Sequence, residues 1–274
     1  MCDSCAKHGD GGKWYENVAN YAKKMYKIRK DESEASSAVS DVQMMVEGIL
    51  EDAVKARGLN APDYEEIKNK AEQMCYTIHF GQVITLDEVE KIMDIAYPIA
   101  RMSCSCRRKT RGARDKDNFL CMGIGVGMYR WERWPETYRG GVEFMSPKKA
   151  REWLKHVNEL GMVHTFWTFG TPYIGGICNC EYPVCIGIRN RLDYGVRILM
   201  KGEQIAQLAS EKCNGCGICA QRCQFGAIRM EVSRGKANIN QQVCFGCGLC
   251  LTACKPRAIE MAGRARMSGL KEVW

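Results

Sequence analysis

The sequence contains no long apolar run of the kind that crosses a membrane. Its longest stretch without Asp, Glu, Lys or Arg is residues 160–180, which includes His164, Asn179, Pro172, three threonines and four glycines. A hydrocarbon core penalises that mixture, so we expect no transmembrane helix. The opening residues, Met1 to Cys5, include neither a basic segment nor an apolar one, so we expect no cleavable signal sequence and a cytoplasmic location.

Signals for several enzyme classes are also missing. No low-complexity segment is present, and no combination of residues indicates a flavin, a nicotinamide or a nucleophilic catalytic site. Cysteine and positive charge are abundant instead, with 17 cysteines and a formal net charge of +8. In a reducing cytoplasm, so many cysteines indicate metal ligands rather than disulfides. The positive charge favours acidic partners.

The spacing C-x2-C-x2-C-x3-C occurs twice near the C-terminus, over residues 213–223 and 244–254. Each run continues as C-x3-A-I, with Ala227-Ile228 after the first and Ala258-Ile259 after the second. A repeat at a constant offset predicts two superposable halves. A zinc ribbon would need only four thiolates with a longer spacer between the pairs, so the doubled spacing indicates iron–sulfur clusters.

The doubled motif resembles the bacterial-type 2[4Fe-4S] ferredoxins over about residues 205–262. The resemblance implies two [4Fe-4S] clusters, single-electron transfer, and a fourth cysteine in each run that binds the other cluster. One implied ligand set is Cys213, Cys216, Cys219 and Cys254, and the other is Cys244, Cys247, Cys250 and Cys223. The proline that usually follows the fourth cysteine is replaced by Gln224 and displaced to Pro256, which leaves ligation unaffected.

Six more cysteines lie in the middle of the chain: Cys104, Cys106, Cys121, Cys178, Cys180 and Cys185. Packing does not explain two C-x-C pairs, so we predict a third metal centre, most simply another [4Fe-4S] cluster that uses four of the six. Cys104, Cys106, Cys178 and Cys180 are one set, with Cys121 and Cys185 as alternates or as ligands of a fourth cluster. The spacing does not choose among them. This region is similar to the N-terminal part of uncharacterised ferredoxin-fused iron–sulfur proteins of anaerobes, a resemblance that implies no particular reaction.

Two thiolates and an imidazole at the start of the chain, Cys2, Cys5 and His8, have ligand spacing and would suit zinc or iron. The alternative for these residues is a solvated tail. Cys75 lies on an apolar helical stretch and is predicted to be a core residue. We expect His79 and His156 to be structural or exposed.

The predicted fold class is α+β, with four regions. Residues 1–100 form a helical N-terminal region, 101–204 a Cys-rich mixed α/β domain, 205–262 a ferredoxin-like dicluster module of βαββαβ type, and 263–274 a basic tail. The local signals are a helix after Ser40 over residues 42–54, a second after Pro62, a third from the Thr85–Glu88 capping box to about Tyr97, a helix from Ser146-Pro147 to Gly161, a strand over 162–169, and a hairpin over 228–239.

These features together predict an electron-transfer protein. We expect a subunit or partner that relays single electrons to or from an oxidoreductase in anaerobic metabolism, docking on an acidic surface. One alternative is an oxidoreductase whose middle cluster has an open iron site, with His164, Arg107 or Arg108 as acid or anion-binding groups. Another is a cluster-based redox sensor. Nucleic acid is not the expected partner, because the basic run from Arg107 to Arg111 also balances the charge of a thiolate-bound cluster.

Overall fold

A computed structural model describes residues 3–21, 48, 51–52, 55–112, 118–125, 127–128, 142–168 and 173–270. The helix predicted after Ser40 lies largely outside these residues. The helices are α1 (Asp3–His8), α2 (Tyr64–Thr77), α3 (Leu86–Ile95), α4 (Ser105–Arg111), α5 (Pro147–Glu159), α6 (Ile186–Leu192), α7 (Ile218–Arg222) and α8 (Leu249–Ala253). The strands are β1 (Gly81–Ile84), β2 (Ile99–Met102), β3 (Cys121–Ile124), β4 (Val142–Met145), β5 (Val163–Thr168), β6 (Ile174–Cys180), β7 (Leu199–Met200), β8 (Gln204–Leu208), β9 (Ile228–Glu231), β10 (Lys236–Ile239) and β11 (Ile259–Gly263). Short 3-10 segments cover Trp14–Glu16, Ser210–Lys212 and Arg264–Arg266.

The helices predicted after Pro62, at Thr85 and at Ser146 are present. The Thr85 hydroxyl accepts a hydrogen bond from the Glu88 amide at 3.3 Å, and the Glu88 carboxylate accepts one from the Thr85 amide at 2.8 Å, which completes a capping box at the start of α3. Ser146 caps α5, with Pro147 in its first turn. Helix α2 confirms the prediction after Pro62. Its Cys75 is fully buried, as predicted, and burial raises the pKa of that thiol to about 12.

The middle of the molecule is a seven-stranded sheet in the order β4-β2-β3-β6-β5-β1-β7. Strands β1 and β7 are parallel, and the other neighbours are antiparallel. Strand β5 confirms the strand predicted at 162–169. Helices α3 and α5 pack together over a core that includes Trp14 from the N-terminal segment.

This sheet corrects the expected boundary between residues 100 and 101. Strand β2 spans that position, and β1, placed in the helical N-terminal region, pairs with β5 from the Cys-rich domain. The described N-terminal residues are therefore part of the same sheet and core as the Cys-rich domain. The four residues of β1 are all buried, so this strand lacks the polar–apolar alternation by which a half-buried strand is recognised.

The C-terminal module follows the order β8-α7-β9-β10-α8-β11. Strands β8 and β11 form one antiparallel pair, and β9 and β10 form the predicted hairpin. The chain is thus a mixed α/β protein in which a strand–helix–strand repeat occupies the C-terminal part. Each repeat supplies one short helix directly after a cysteine-rich loop.

Residues 263–270 are packed against the module, in contrast to the basic tail expected from residue 263. Arg264 is fully buried and donates hydrogen bonds to the carbonyls of Gly202 (2.9 Å) and Cys244 (2.8 Å). Leu270 is also buried. Three carbonyls, including that of Gln204, accept hydrogen bonds from Nε and Nη2 and offset part of the cost of burying the charge, whereas Nη1 is buried with no hydrogen-bond partner among the described residues.

Within the described ranges, no helix combines the length and the apolar character needed to cross a membrane.

Candidate iron–sulfur sites

Two cavities in the C-terminal module are each lined by four cysteines. Cys213, Cys216, Cys219 and Cys254 line the first cavity. Cys223, Cys244, Cys247 and Cys250 line the second. Each cavity encloses about 320 Å³ of empty space, part of it open to solvent. The grouping is the one that the ferredoxin resemblance implies, with the last cysteine of each run turned toward the other run's cavity.

Left-handed glycines shape the loops around both cavities. Gly215 and Gly246 have φ angles of 74° and 75°, in the region where a Cβ is disfavoured. A Cβ on Gly215 would lie 2.1 Å from the Gly235 oxygen, and one on Gly246 would lie 2.1 Å from the Gln204 oxygen. The backbone can therefore follow these tight paths only because glycine occupies both positions.

Backbone amides point at the sulfurs of the last cysteine in each run. The Ala227 amide donates to Cys223 Sγ at 3.3 Å, and the Ala258 amide donates to Cys254 Sγ at 3.2 Å. The repeated C-x3-A spacing thus places one N–H on an equivalent sulfur in each half. Hydrogen bonds of this kind stabilise thiolate ligands and tune a bound cluster. The donor set, the cavities and the amides all fit two [4Fe-4S] clusters.

The two cavities differ in exposure. In the first set Cys216 is exposed and Cys213 and Cys254 are half-buried. In the second set Cys244, Cys247 and Cys250 are all buried. Burial raises the pKa of Cys247 to about 12, so this thiol needs a bound cation to hold it as a thiolate at neutral pH. The first cavity is the outer one, and the second is the inner one.

The six middle cysteines converge at one end of the large sheet. Cys121 on β3 lies opposite Cys178 on β6, and Cys180 follows on the same face of β6 because strand side chains alternate. Cys104 is the N-cap of α4, directly after β2, and Cys106 lies in the first turn of α4. Cys185 is the N-cap of α6. Two strands and two helix starts therefore supply the six thiols.

Their thiols lie close enough to affect one another's ionisation. Cys104 interacts with Cys106, Cys121 and Cys180. Cys185 interacts with Cys106 and Cys180, which closes a ring of four: Cys104, Cys106, Cys185 and Cys180. We call these four residues the sulfur ring. Cys121 and Cys178 are outside it, with their Sγ atoms 3.9 Å apart. The set suggested from the sequence was Cys104, Cys106, Cys178 and Cys180. The ring contains Cys185 instead of Cys178.

Two thiols of the ring, Cys104 and Cys185, belong to helix N-caps. Hydrogen bonds from neighbouring thiols lower the pKa of Cys104, assisted by the Arg107 amide at 3.5 Å. Thiol hydrogen bonds likewise lower the pKa of Cys185, together with the amides of Ile188 and Gly187. Hydrogen bonding to Cys104 and Cys185 raises the pKa of Cys106 and Cys180, because those two act as donors. A bound cationic cluster would remove this inequality by charging all four.

The ring has the ligand count of either a zinc site or a [4Fe-4S] cubane. In the part of the chain that the structure describes, no group of three or more His, Cys, Asp or Glu side chains is arranged to hold one metal ion. Tetrahedral zinc requires all four sulfurs at about 2.3 Å from one point. A cubane instead gives each thiolate its own iron corner.

Buried side chains join the sulfur ring to the inner cavity. Cys180 and Cys185 share one packed cluster with Cys247, Phe225 and Phe245. The two phenylalanine rings are stacked, with centroids 4.1 Å apart and planes inclined by 10°. Phe225 and Phe245 also line the inner cavity. Neither phenylalanine was predicted as a site residue, although each lies within two positions of a cysteine ligand.

The groups considered for acid or anion-binding chemistry are engaged elsewhere. His164 is buried, with Nδ1 at 2.6 Å from the Asn179 side chain and Nε2 at 3.0 Å from Asn158. Burial lowers the pKa of His164 to about 4, only partly opposed by the bond to Asn179. Arg107 is buried in an ion pair with Glu181 at 2.8 Å. These contacts give both residues structural roles.

The remaining predicted residues lie in different places. Cys5 is buried in the core near Trp14 and Tyr15, whereas Cys2 lies outside the described residues. The His8 carbonyl accepts hydrogen bonds from Asn17 and Asn20. His79 is buried, with Nε2 2.6 Å from Gln82 Oε1, and His156 is exposed on α5.

Comparison with known families identifies the C-terminal module. Residues 212–258 match the family described as the 4Fe-4S dicluster domain. No curated protein matches the chain. The C-terminal part is therefore an iron–sulfur domain for two [4Fe-4S] clusters, whose chemistry is single-electron transfer. The match leaves the large sheet and its six cysteines to be interpreted from their own geometry.

Proposed function

We propose that this protein relays single electrons between a partner oxidoreductase and a third iron–sulfur centre held by the sulfur ring. The ring supplies four thiols, the number that a cubane needs, and Cys104 already accepts a hydrogen bond from the Arg107 amide at 3.5 Å. When bound, the three clusters would each exchange one electron at a time.

One observation carries the proposal. The sulfur ring and the inner cavity share a continuous buried cluster, which includes the stacked Phe225 and Phe245 rings. Such packing excludes water between the two sites and fixes their relative position. An isolated structural metal site would not need to adjoin a cluster cavity. The arrangement supports the order outer cavity, inner cavity, sulfur ring.

The interface between the module and the sheet is also bonded. The Arg222 guanidinium donates to the Asn158 carbonyl at 3.0 Å and to the Glu159 carbonyl at 2.6 Å. Gln224 donates to the Gly161 carbonyl at 2.6 Å, and the Tyr182 amide donates to Gln224 at 2.7 Å. These bonds hold the inner cavity against the sheet. They support a fixed relay rather than a tethered carrier.

The outer cavity is the proposed docking point. Cys216 is exposed there, so a partner can approach the cluster closely. The net charge of +8 favours a partner with an acidic surface. Because screening weakens such attraction, we expect the rate of electron exchange with an acidic ferredoxin to fall as ionic strength rises. A role in anaerobic metabolism belongs to the same proposal.

The test is the iron and acid-labile sulfide content of protein purified without oxygen, with Mössbauer spectra to identify the cluster types. Three cubanes predict about twelve irons per chain. The variant Cys185→Ser should lose about four of them, whereas Cys75→Ser, which changes a buried thiol away from the ring, should keep all. About eight irons in the wild-type protein would contradict the third centre and leave the dicluster domain intact.

A further inference from the structure

The pair Cys121 and Cys178 is left over when the sulfur ring is complete. The two cysteines face each other across β3 and β6, and their Sγ atoms are 3.9 Å apart. The Cys121 thiol also lies close enough to that of Cys104 in the ring to interact with it. The chain therefore places a close dithiol directly against the proposed third centre.

The register of the two strands suits a disulfide. The Asn179 amide donates to the Leu120 carbonyl at 3.0 Å, so residues 120 and 179 form a hydrogen-bonded pair. In an antiparallel ladder the next pair, Cys121 and Cys178, is then a non-hydrogen-bonded pair. Such pairs have Cα atoms about 4.5 Å apart and the closest side chains. Disulfides span Cα separations of about 4.4–6.8 Å, so rotation of the thiols can bring the sulfurs to the bond length of about 2.05 Å.

Access differs between the two thiols. Cys178 is half-buried, whereas Cys121 is buried at 8% exposure. An incoming disulfide can thus reach Cys178 first, and Cys121 lies behind it as the resolving thiol. Thiol–disulfide exchange proceeds by this kind of sequential attack through a mixed disulfide.

We propose that Cys121 and Cys178 form a redox-active dithiol, which makes this face of the sheet a thiol–disulfide oxidoreductase site. The Cys178 thiolate attacks a substrate disulfide R–S–S–R and releases one R–SH after protonation. The Cys121 thiolate then attacks the mixed disulfide, releases the second R–SH and leaves Cys121 and Cys178 joined by a disulfide. Two electrons from a one-electron iron–sulfur donor, with two protons from water, restore the two thiols.

The inference rests on the proposed function for its electron source and for the assignment of the ring. The dithiol chemistry itself depends only on the two cysteines. The substrate class is a disulfide, and glutathione disulfide is the probe.

The test uses the full chain, purified without oxygen and equilibrated with mixtures of glutathione and glutathione disulfide. Each sample is quenched in acid, alkylated with N-ethylmaleimide and mapped by mass spectrometry. We expect the loss of two labels, confined to the peptides with Cys121 and Cys178, over a two-electron transition. Incubation with a reduced ferredoxin should restore both labels. Cys121→Ser and Cys178→Ser should abolish the transition and retain the wild-type iron content.

Two results would overturn the proposal. One is that both thiols stay alkylated across the whole range of glutathione mixtures, a measurement on the wild-type protein that needs no variant. The other is that Cys121→Ser and Cys178→Ser each lose about four irons, which would make these residues cluster ligands. A wild-type protein with eight irons and a reversible disulfide at this pair would refute the third centre and support the dithiol.

Discussion

Replacement of Gly246 by alanine tests whether the inner cluster loop depends on close backbone contact. Gly246 has a φ of 75°, and a Cβ there would lie 2.1 Å from the Gln204 oxygen. Carbon and oxygen atoms approach without strain only to about 3.3 Å, so the loop or strand β8 has to shift by about 1 Å. We expect Gly246→Ala to lose the inner cluster, because its loop carries Cys244 and Cys247.

Gly226→Ala is a matched control for the cost of placing alanine in a left-handed backbone conformation. Its φ is 68°, and a Cβ there would have no atom within 4 Å. Both variants incur the left-handed penalty of about 1–2 kcal/mol. Only Gly246→Ala adds the overlap, at about 1–3 kcal/mol for overpacking. We therefore expect the free energy of unfolding of Gly246→Ala to be lower than that of Gly226→Ala by about 1–3 kcal/mol.

The assay combines iron analysis, electron paramagnetic resonance of the reduced protein and urea unfolding. Gly246→Ala should lose about four irons and one cluster signal, whereas Gly226→Ala should keep the wild-type content. Gly215→Ala should show the corresponding loss at the outer cavity, since a Cβ there meets the Gly235 oxygen at 2.1 Å. Equal iron content and equal stability in the Gly246 and Gly226 variants would refute the steric reasoning.

Two further predictions concern the large sheet. Thr85→Ala removes the capping box of α3 and should lower the free energy of unfolding by about 1 kcal/mol, seen as a lower Tm, while Thr85→Ser should stay near wild type; an unchanged Tm for the alanine variant would contradict it. His164 is held neutral with a pKa of about 4, below the value of about 6.5 expected in the unfolded chain. Above pH 6.5 the imidazole is neutral in both the folded and the unfolded protein, so His164 does not affect stability there. As the pH falls from 6.5 toward 4, His164 takes up a proton only in the unfolded protein, and the free energy of unfolding drops by up to about 1.4 kcal/mol per pH unit. Urea unfolding of wild type and His164→Asn between pH 5 and 7.5 should show a shallower pH dependence in the variant, and identical slopes would count against a buried neutral histidine.

Local chemistry made part of this structure predictable. The capping box at Thr85, the Ser146-Pro147 start of α5 and the hairpin β9–β10 depend on residues within a few positions of one another, so the pattern alone indicates them. The doubled cysteine spacing likewise determines which residues form the dicluster domain.

The pairing of strands that are distant in the sequence could not be predicted. Strand β1 lies before the expected domain boundary, whereas the other strands of its sheet span that boundary or follow it, and nothing in its four buried residues specifies the partners β5 and β7. The same limit applies to the middle cysteines. Their spacing indicates a common site, but the choice of Cys185 over Cys178 for the ring depends on how α6 meets β6 in space.

The sheet order has a consequence for biosynthesis. Cys104 and Cys106 precede Cys180 and Cys185 by a long stretch of chain, and β1 is paired on one edge with β7, which is made later still. Contacts between distant positions form slowly because the intervening loop must first be closed. We therefore expect the first two ring thiols to remain without their partners while β3 to β6 are synthesised, so that four-thiol metal binding at this site requires translation to have passed Cys185.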